Sequence, residues 1–390
     1  MDRRFVYADN AATTEMWPQV VDEINQLNKS CYANPNSMYG LARQSNLKLN
    51  KASKKIAQLI GAKSEREIYF TSGGTESNNM AIRGVAALKE SGHIITTKIE
   101  HPAVLNTLKT LEKLGYEVTY LDVDKNGIVR ADKVQSCIKE NTILITVMYV
   151  NNEIGTIEPI DKIAKIARQY DVPFHTDAVQ AAGHIDIDVN KLGVDMLSLS
   201  AHKFGGPKGI GVLYKRHGLS LCPLITGGEQ QGGMRGGTQD VAGIAAMAKA
   251  LEISCNHMES ERLRLTKLRD RLINGILDRI PHCKINGDLH RRICSNVNVT
   301  IDGVEGESLV LLLDMYGICA SSGSACTERA QTPSHVLLAL GLGENAAKCC
   351  LRLSLGAGNT QEDIDYILDV LPMAVEKLRS LSPLWKDSRV

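Results

Sequence analysis

Lys203 closes the apolar run VDMLSLSAHK and stands against the glycine turn FGGPKG. Lysine is almost never fully buried unless paired, so a lysine held there either folds back to water or does chemistry. Other apolar runs end just as pointedly. VPFHT delivers Asp177, TILITVMYV delivers Asn151 and Asn152, HIITTKIE delivers His101, and EIYF delivers Thr71-Ser72-Gly73-Gly74-Thr75. In an open parallel sheet ligands sit beyond the carboxyl ends of the strands, so these groups can meet on one rim.

A phosphate cup, a lone carboxylate, an imidazole, an amide and a lysine match the needs of pyridoxal 5′-phosphate. That cofactor is an electron sink held as a Schiff base on a lysine, with an acid at its pyridinium nitrogen. The lysine has to become neutral to attack an aldehyde, and desolvation and nearby positive charge both lower its pKa. Lys203 beside His202 fits, and an ionised Asp177 would keep the ring nitrogen protonated. The phosphate needs backbone N–H groups at a helix N-terminus, which TSGGTESNN supplies with Gly74 and Thr75. His101 would stack on the ring face and move protons.

Each residue alone has an ordinary alternative. Lys203 could snorkel to solvent. Asp177 could cap a helix beginning at TDAVQAA. SGGT is a common turn, and His101 before Pro102 could be punctuation. The weight rests on their falling together at strand ends.

The elements that position them alternate strand and helix, the pattern of a parallel α/β fold. SNLKLNKASKKIAQLIG reads as a helix with Gly61 at its C-terminal end. Pro102 suits the first position of a helix. TILITVMYV is apolar on both faces, as a central parallel strand is. From about Leu251 the texture changes to a long amphipathic helix, MESERLRLTKLRDRLINGILDRI, then to the alternating strands SNVNVTI and CLRLSLG and closing helices. We therefore expect a large domain over 15–255, and a smaller one formed by 1–14 with 256–390.

With 390 residues there is ample chain for two cores. Lys and Arg total 45 against 44 Asp and Glu, which offers no bulk attraction for nucleic acid or an anionic membrane. Aromatic residues are only 4%, which argues against stacked-base recognition. The ten cysteines form no Cys-x-x-Cys pair and do not suggest a disulfide framework. The opening MDRRFVYADNAATT lacks the apolar core of a secretory leader, and no apolar run is long enough to span a bilayer. The expectation is a cytoplasmic protein without membrane or direct nucleic-acid partners.

SAHKFGGPKGIG, HTDAVQAAG, TSGGTESNN, YADNAATT and SSGSACT…PSHVL together resemble the class V, fold-type I pyridoxal phosphate enzymes. Within them the chain resembles the cysteine desulfurases of the nitrogen-fixation and iron–sulfur-cluster type, from Tyr7 to about Ile367. The resemblance implies a mainly parallel seven-stranded sheet between helices plus a smaller α+β C-terminal domain. It makes Lys203 the Schiff-base lysine. Gly74, Thr75, Ser200, His202 and Thr238 would hold the phosphate, with Thr238 reaching the neighbouring subunit's site, so a homodimer is implied. Gln180 would contact the ring oxygen, His101 the ring face and Asp177 the ring nitrogen. Asn152 and Arg352 would bind the α-carboxylate of L-cysteine. A guanidinium fork matches a carboxylate, and Arg352 alternates with leucines in LRLSLG; an exposed strand arginine is the ordinary alternative.

Cys326 lies in CASSGSACTERAQTPSHVLLALG, a stretch of small and polar residues between an apolar run and a helix starting near Pro333. Such a segment reads as exposed and mobile. A thiol there, with an unperturbed pKa of about 8.5, could take sulfur as a persulfide and pass it to a scaffold or other acceptor. Rival readings are a selenocysteine lyase or a class V aminotransferase, of which the aminotransferase would not need Cys326, and a non-catalytic scaffold-binding homologue. Tyr39 stands where the family often has histidine, and Glu229, Gln231 and Gly232 also depart from its pattern. DVDKNGIVRADK begins like a calcium loop, but Lys133 takes the place of the required glutamate, so it reads as a turn, and no metal is expected.

Overall fold

The computed structural model describes residues 4–323, 333–382 and Trp385. Its main sheet has seven strands: β2 (Ile68–Thr71), β3 (His93–Thr97), β4 (Glu117–Leu121), β5 (Thr142–Thr146), β6 (Phe174–Asp177), β7 (Met196–Ser200) and β8 (Gly211–Lys215). The spatial order is β2-β8-β7-β6-β5-β3-β4. β8 runs antiparallel to both its neighbours, and the other pairs are parallel. A strand that precedes β2, β1 (Val6–Tyr7), pairs elsewhere.

Consecutive apolar residues in the central strands feed different cores. Ile95, Ile145, Leu197 and Val212 join one cluster, and Ile94, Leu144, Met196 and Leu213 join the other. Both faces of the sheet are thus covered, which is why these runs carry no polar alternation. The helices that deliver functional residues include α3 (Gly74–Ala86), after β2, and α4 (Pro102–Lys113), after β3. The helices before them are α1 (Pro18–Ser30) and α2 (Gly40–Leu59). Pro102 opens α4, and Gly61, at φ +70°, follows the end of α2. Both positions follow from backbone chemistry, since proline has no N–H to lose there and glycine tolerates positive φ.

Apart from the two clusters that flank the main sheet, a second core gathers around a small antiparallel sheet in the order β12-β10-β9, made of β9 (Cys283–Ile285), β10 (Asn296–Ile301) and β12 (Cys350–Ser354). β1 returns to this region and pairs in parallel with β11 (Ile318–Cys319). The long amphipathic helix runs from Val241 to Arg279, starting earlier than its sequence pattern suggested. Its first part, to Ile253, packs in the main core, and its later part, from Leu265, in the second. The expected division at 255/256 falls inside this continuous helix. Among the described residues no helix is long and apolar enough to cross a membrane.

Some ordinary alternatives are corrected. No helix begins at Asp177; the chain turns there, and Asp177 Oδ1 accepts from Val179 N–H. Arg352 is not exposed, being 1% accessible on a strand buried throughout. In the 122–133 segment Asp124 Oδ1 accepts from the N–H groups of Asn126 and Ile128, an Asx turn.

Candidate active site

β7 ends at Ser200, and a single tight turn, Ala201–Lys203, carries the lysine out of the sheet. Gly205 at φ +78° completes that turn, and a Cβ there would lie 2.3 Å from the Trp17 ring. Trp17 is itself fixed, donating from Nε1 to the Phe204 carbonyl and the Ser254 hydroxyl. Lys203 is therefore aimed by backbone geometry. Its Nζ donates to the carbonyls of Ala11 at 2.6 Å and Ala12 at 2.7 Å. Gln180 Nε2 donates to the same Ala11 carbonyl at 2.9 Å.

Lys203, Ala11, Ala12 and Gln180 line a cavity of about 180 Å³ together with Gly74, Thr75, Asn78, His101, Met148, Asn152, Asp177, Val179, Ser200, His202 and Arg352. At its floor Asp177 is 5% exposed. Asn78 Nδ2 donates to Asp177 Oδ2 at 2.6 Å and Val179 N–H donates to Oδ1 at 3.0 Å. A buried carboxylate held in one orientation at the cavity suits a cationic ring nitrogen.

α3 opens on the cavity. Gly73 sits at φ +150°, a conformation that side chains rarely adopt, and a Cβ at Gly74 would come 2.7 Å from Val179 Cγ2. The helix N-terminus, with Ser200 and His202 also on the lining, is suited to a phosphate. His202 Nδ1 lies 3.2 Å from the Thr13 hydroxyl. Burial first, then the charges of Lys203 and Lys208, push its pKa down to about 4. A neutral imidazole there can donate one proton without carrying charge.

His101 caps α4, its Nδ1 accepting the Ala103 N–H at 3.1 Å. A neutral ring in this role carries its proton on Nε2. Its pKa is lowered, chiefly by burial; Asp177 opposes the shift while Lys203 and His335 add to it. Arg352 Nη1 donates to the Asn152 carbonyl at 3.1 Å, and Nη2 pairs with Asp9 Oδ1 at 2.8 Å. The backbone of Asn152, rather than its side chain, is the part that touches Arg352 here.

Thr238 is expected to serve a neighbouring subunit's site rather than this cavity. It is exposed and does not line the cavity. Cys326 lies outside the described residues. The described residues on either side of that gap meet at Glu153, which is 1% exposed. Ser334 donates to Glu153 Oε2 at 2.5 Å, and a Cβ on Gly323 would lie 3.4 Å from the same oxygen. Ser321 exchanges backbone hydrogen bonds with Arg352, at 3.1 and 2.7 Å, so the segment that leads to Cys326 departs from beside a cavity residue.

Sequence reasoning missed Asn78, the carbonyls of Ala11 and Ala12, Met148, Val179 and Asp9. Asn78 carries a usable signal: it stands one turn into α3, on the side of the helix that faces the strand ends. Backbone carbonyls carry none.

The side chains fit pyridoxal 5′-phosphate: a helix N-terminus for phosphate, a buried, oriented carboxylate for the ring nitrogen and a lysine amine at the wall. Fold and site define an α/β enzyme of the pyridoxal phosphate-dependent kind. The chain belongs to the aminotransferase class-V family, whose family model matches residues 6–367 and whose members use this cofactor. Within it, the relatives it is similar to are cysteine desulfurases. The cysteine desulfurase IscS of Clostridium botulinum is 48% identical over 386 residues, covering 98% of this chain and 97% of the relative. The cysteine desulfurase IscS of Methanosarcina thermophila is 50% identical over 385 residues, covering 98% and 95%. Among solved structures, a NifS-like protein is 37% identical with a TM-score of 0.90, covering 96% of this chain and all of that one. SspA in complex with cysteine is 38% identical with a TM-score of 0.80, covering 90% and 98%.

Proposed function

We propose that the protein removes sulfur from L-cysteine, releases L-alanine and carries the sulfur on Cys326. The observation that carries this reading is that Lys203, Asp177 and Arg352 line one cavity. When bound, pyridoxal 5′-phosphate supplies the electron sink that lets bonds at the substrate's α- and β-carbons break. Gly74, Thr75, Ser200 and His202 would hold its phosphate, Asp177 its ring nitrogen, Gln180 its ring oxygen and Lys203 its aldehyde carbon. Arg352, with Asn152, orients the substrate by its carboxylate. Lys203 moves the Cα proton. His101 presents its Nε2 proton to the cavity and hydrogen-bonds the substrate side. Cys326 thiolate attacks the substrate sulfur: a sulfur–sulfur bond forms while the carbon–sulfur bond breaks, and the electron pair leaves with the carbon fragment, which is protonated to alanine.

The same reading extends to assembly and context. Exposed Thr238 completes the phosphate site of a second subunit, so the working unit is a homodimer. Residues 15–255 form the cofactor domain, and 1–14 with 256–390 the domain that bears Arg352 and Cys326. The protein works in the cytoplasm and passes sulfur to an iron–sulfur scaffold or another thiol acceptor.

The test is direct. Purified protein given L-cysteine should yield alanine and an equal amount of enzyme-bound sulfane sulfur. Lys203→Ala should abolish turnover, and Cys326→Ser should keep the visible cofactor band while forming no persulfide. Alanine production undiminished in Cys326→Ser would overturn the sulfur-carrier role. Absence of alanine in the wild type would overturn the whole reading.

A further inference from the structure

Arg352 is 1% exposed and lines the cavity, so its charge needs a counter-ion at all times. Asp9 supplies one, its Oδ1 lying 2.8 Å from Nη2. Nη1 is taken by the Asn152 carbonyl at 3.1 Å, and Nε is buried with no hydrogen-bond partner. The guanidinium is therefore oriented and neutralised before any ligand arrives.

A substrate carboxylate at this position changes the charge count. One buried cation then faces two carboxylates, and one negative charge is left poorly compensated. Asp9 has a way out that Arg352 lacks, since its side chain is 18% exposed and can turn toward water. The backbone around it does not depend on the ion pair. Asp9 bridges Ser354, Asn10 N–H donates to the Ser354 carbonyl, and Ser354 N–H donates to the Ala8 carbonyl.

We infer that Asp9 is the resting counter-ion of Arg352 and that the substrate's carboxylate competes with it for the guanidinium. Asp9 is a positioning residue with an opposing effect on affinity. It keeps Arg352 aimed into the cavity, and it weakens the hold on every carboxylate that enters, product included. This rests on the reading of Arg352 as the carboxylate anchor.

The test uses the holoenzyme and the visible cofactor band as an equilibrium readout. L-alanine carries the carboxylate, and L-alaninamide lacks its charge. Asp9→Asn should tighten L-alanine binding about tenfold, the weight of one charge-assisted hydrogen bond, and leave L-alaninamide unchanged. Asp9→Glu keeps the charge and should bind L-alanine as the wild type does. L-alanine binding that is unchanged or weaker in Asp9→Asn overturns the inference, as does equal tightening in Asp9→Glu. Arg352→Gln separates the two claims. If it erases the preference for L-alanine over L-alaninamide while Asp9→Asn has no effect, the anchor stands and the competition falls. If it leaves the preference intact, the anchor itself is wrong.

Discussion

The two sheets present their chemistry to the cavity in different ways. The seven-stranded sheet offers it at strand ends: Asp177 ends β6, Ser200 ends β7, and Lys203 and His101 follow within a turn of their strands. The three-stranded sheet offers Arg352 from the middle of β12, with Leu351 and Leu353 beside it packed into the second core. At a strand end a polar group meets the cavity without passing through apolar packing. In mid-strand a charge survives only because partners from distant chain segments, Asp9 and Asn152, meet it. The first arrangement depends on local backbone, the second on long-range polar pairing.

That contrast is open to attack. The largest effect is expected at Asp177→Asn, which leaves the packing alone but removes the charge that, on the proposed reading, would face the ring nitrogen. Turnover should fall by about 100-fold or more, the scale of a lost preorganised electrostatic group, with the substrate dissociation constant little changed. A loss under tenfold in steady-state kinetics would mean that the strand-end carboxylate is not electronically coupled to the reaction.

Arg352→Gln should act next, through binding and stability together. Removing one partner of a buried charged pair costs roughly 2–5 kcal/mol. We expect kcat/KM for L-cysteine to drop about 30-fold or more, mostly in KM, and the urea midpoint to fall. A variant with unchanged KM would place the carboxylate elsewhere.

Asn78→Ala is a milder probe of the strand-end side. It removes the 2.6 Å bond to Asp177 Oδ2. A lost bond to a charged group is worth about 1.5–3 kcal/mol, so turnover should fall roughly tenfold with cofactor still bound. Unaltered turnover would show that Val179 N–H alone orients the carboxylate.

The effect expected to touch turnover least concerns stability against pH. Glu100 is fully buried, accepts from the Thr97 hydroxyl and Met148 N–H, and is pushed up to about 8, mainly by burial. The folded protein then keeps a proton that the unfolded chain releases near its ordinary value. The contribution is fully present at low pH and is lost as pH rises through the window from about 4.5 to 8, by at most about 1.4 kcal/mol per pH unit. Buried His175 works the opposite way. Burial holds it down to about 3, so stability is lost as pH falls below about 6.5, where the unfolded chain takes up the proton. Glu100→Gln should flatten the upper limb and leave the lower one. Parallel denaturation midpoints for variant and wild type from pH 5 to 8 would refute it.

Much of the fold was legible because its signals are local. Ile94-Ile95 and Met196-Leu197 announce strands covered on both faces, and Pro102 and Gly61 mark helix ends. The rim residues were legible for the same reason, since each follows an apolar run directly. Arg352 was legible only in part. Its alternation with leucines showed that it leaves the apolar face, but did not show that this side is buried as well. The early start of the Val241–Arg279 helix was missed because its first half is apolar on most sides, with no amphipathic stripe to read.

Residue order alone settled which groups stand at the carboxyl ends of strands, because strand period, glycine conformation and proline geometry act over a few residues. Folding in three dimensions settled what each group touches. Asn78 meets Asp177 across 99 positions, Lys203 meets Ala11 across 192, and Arg352 meets Asp9 across 343. No local pattern specifies such pairs. They form because a polar group removed from water has to find a partner among whatever the packing of two apolar cores brings near it.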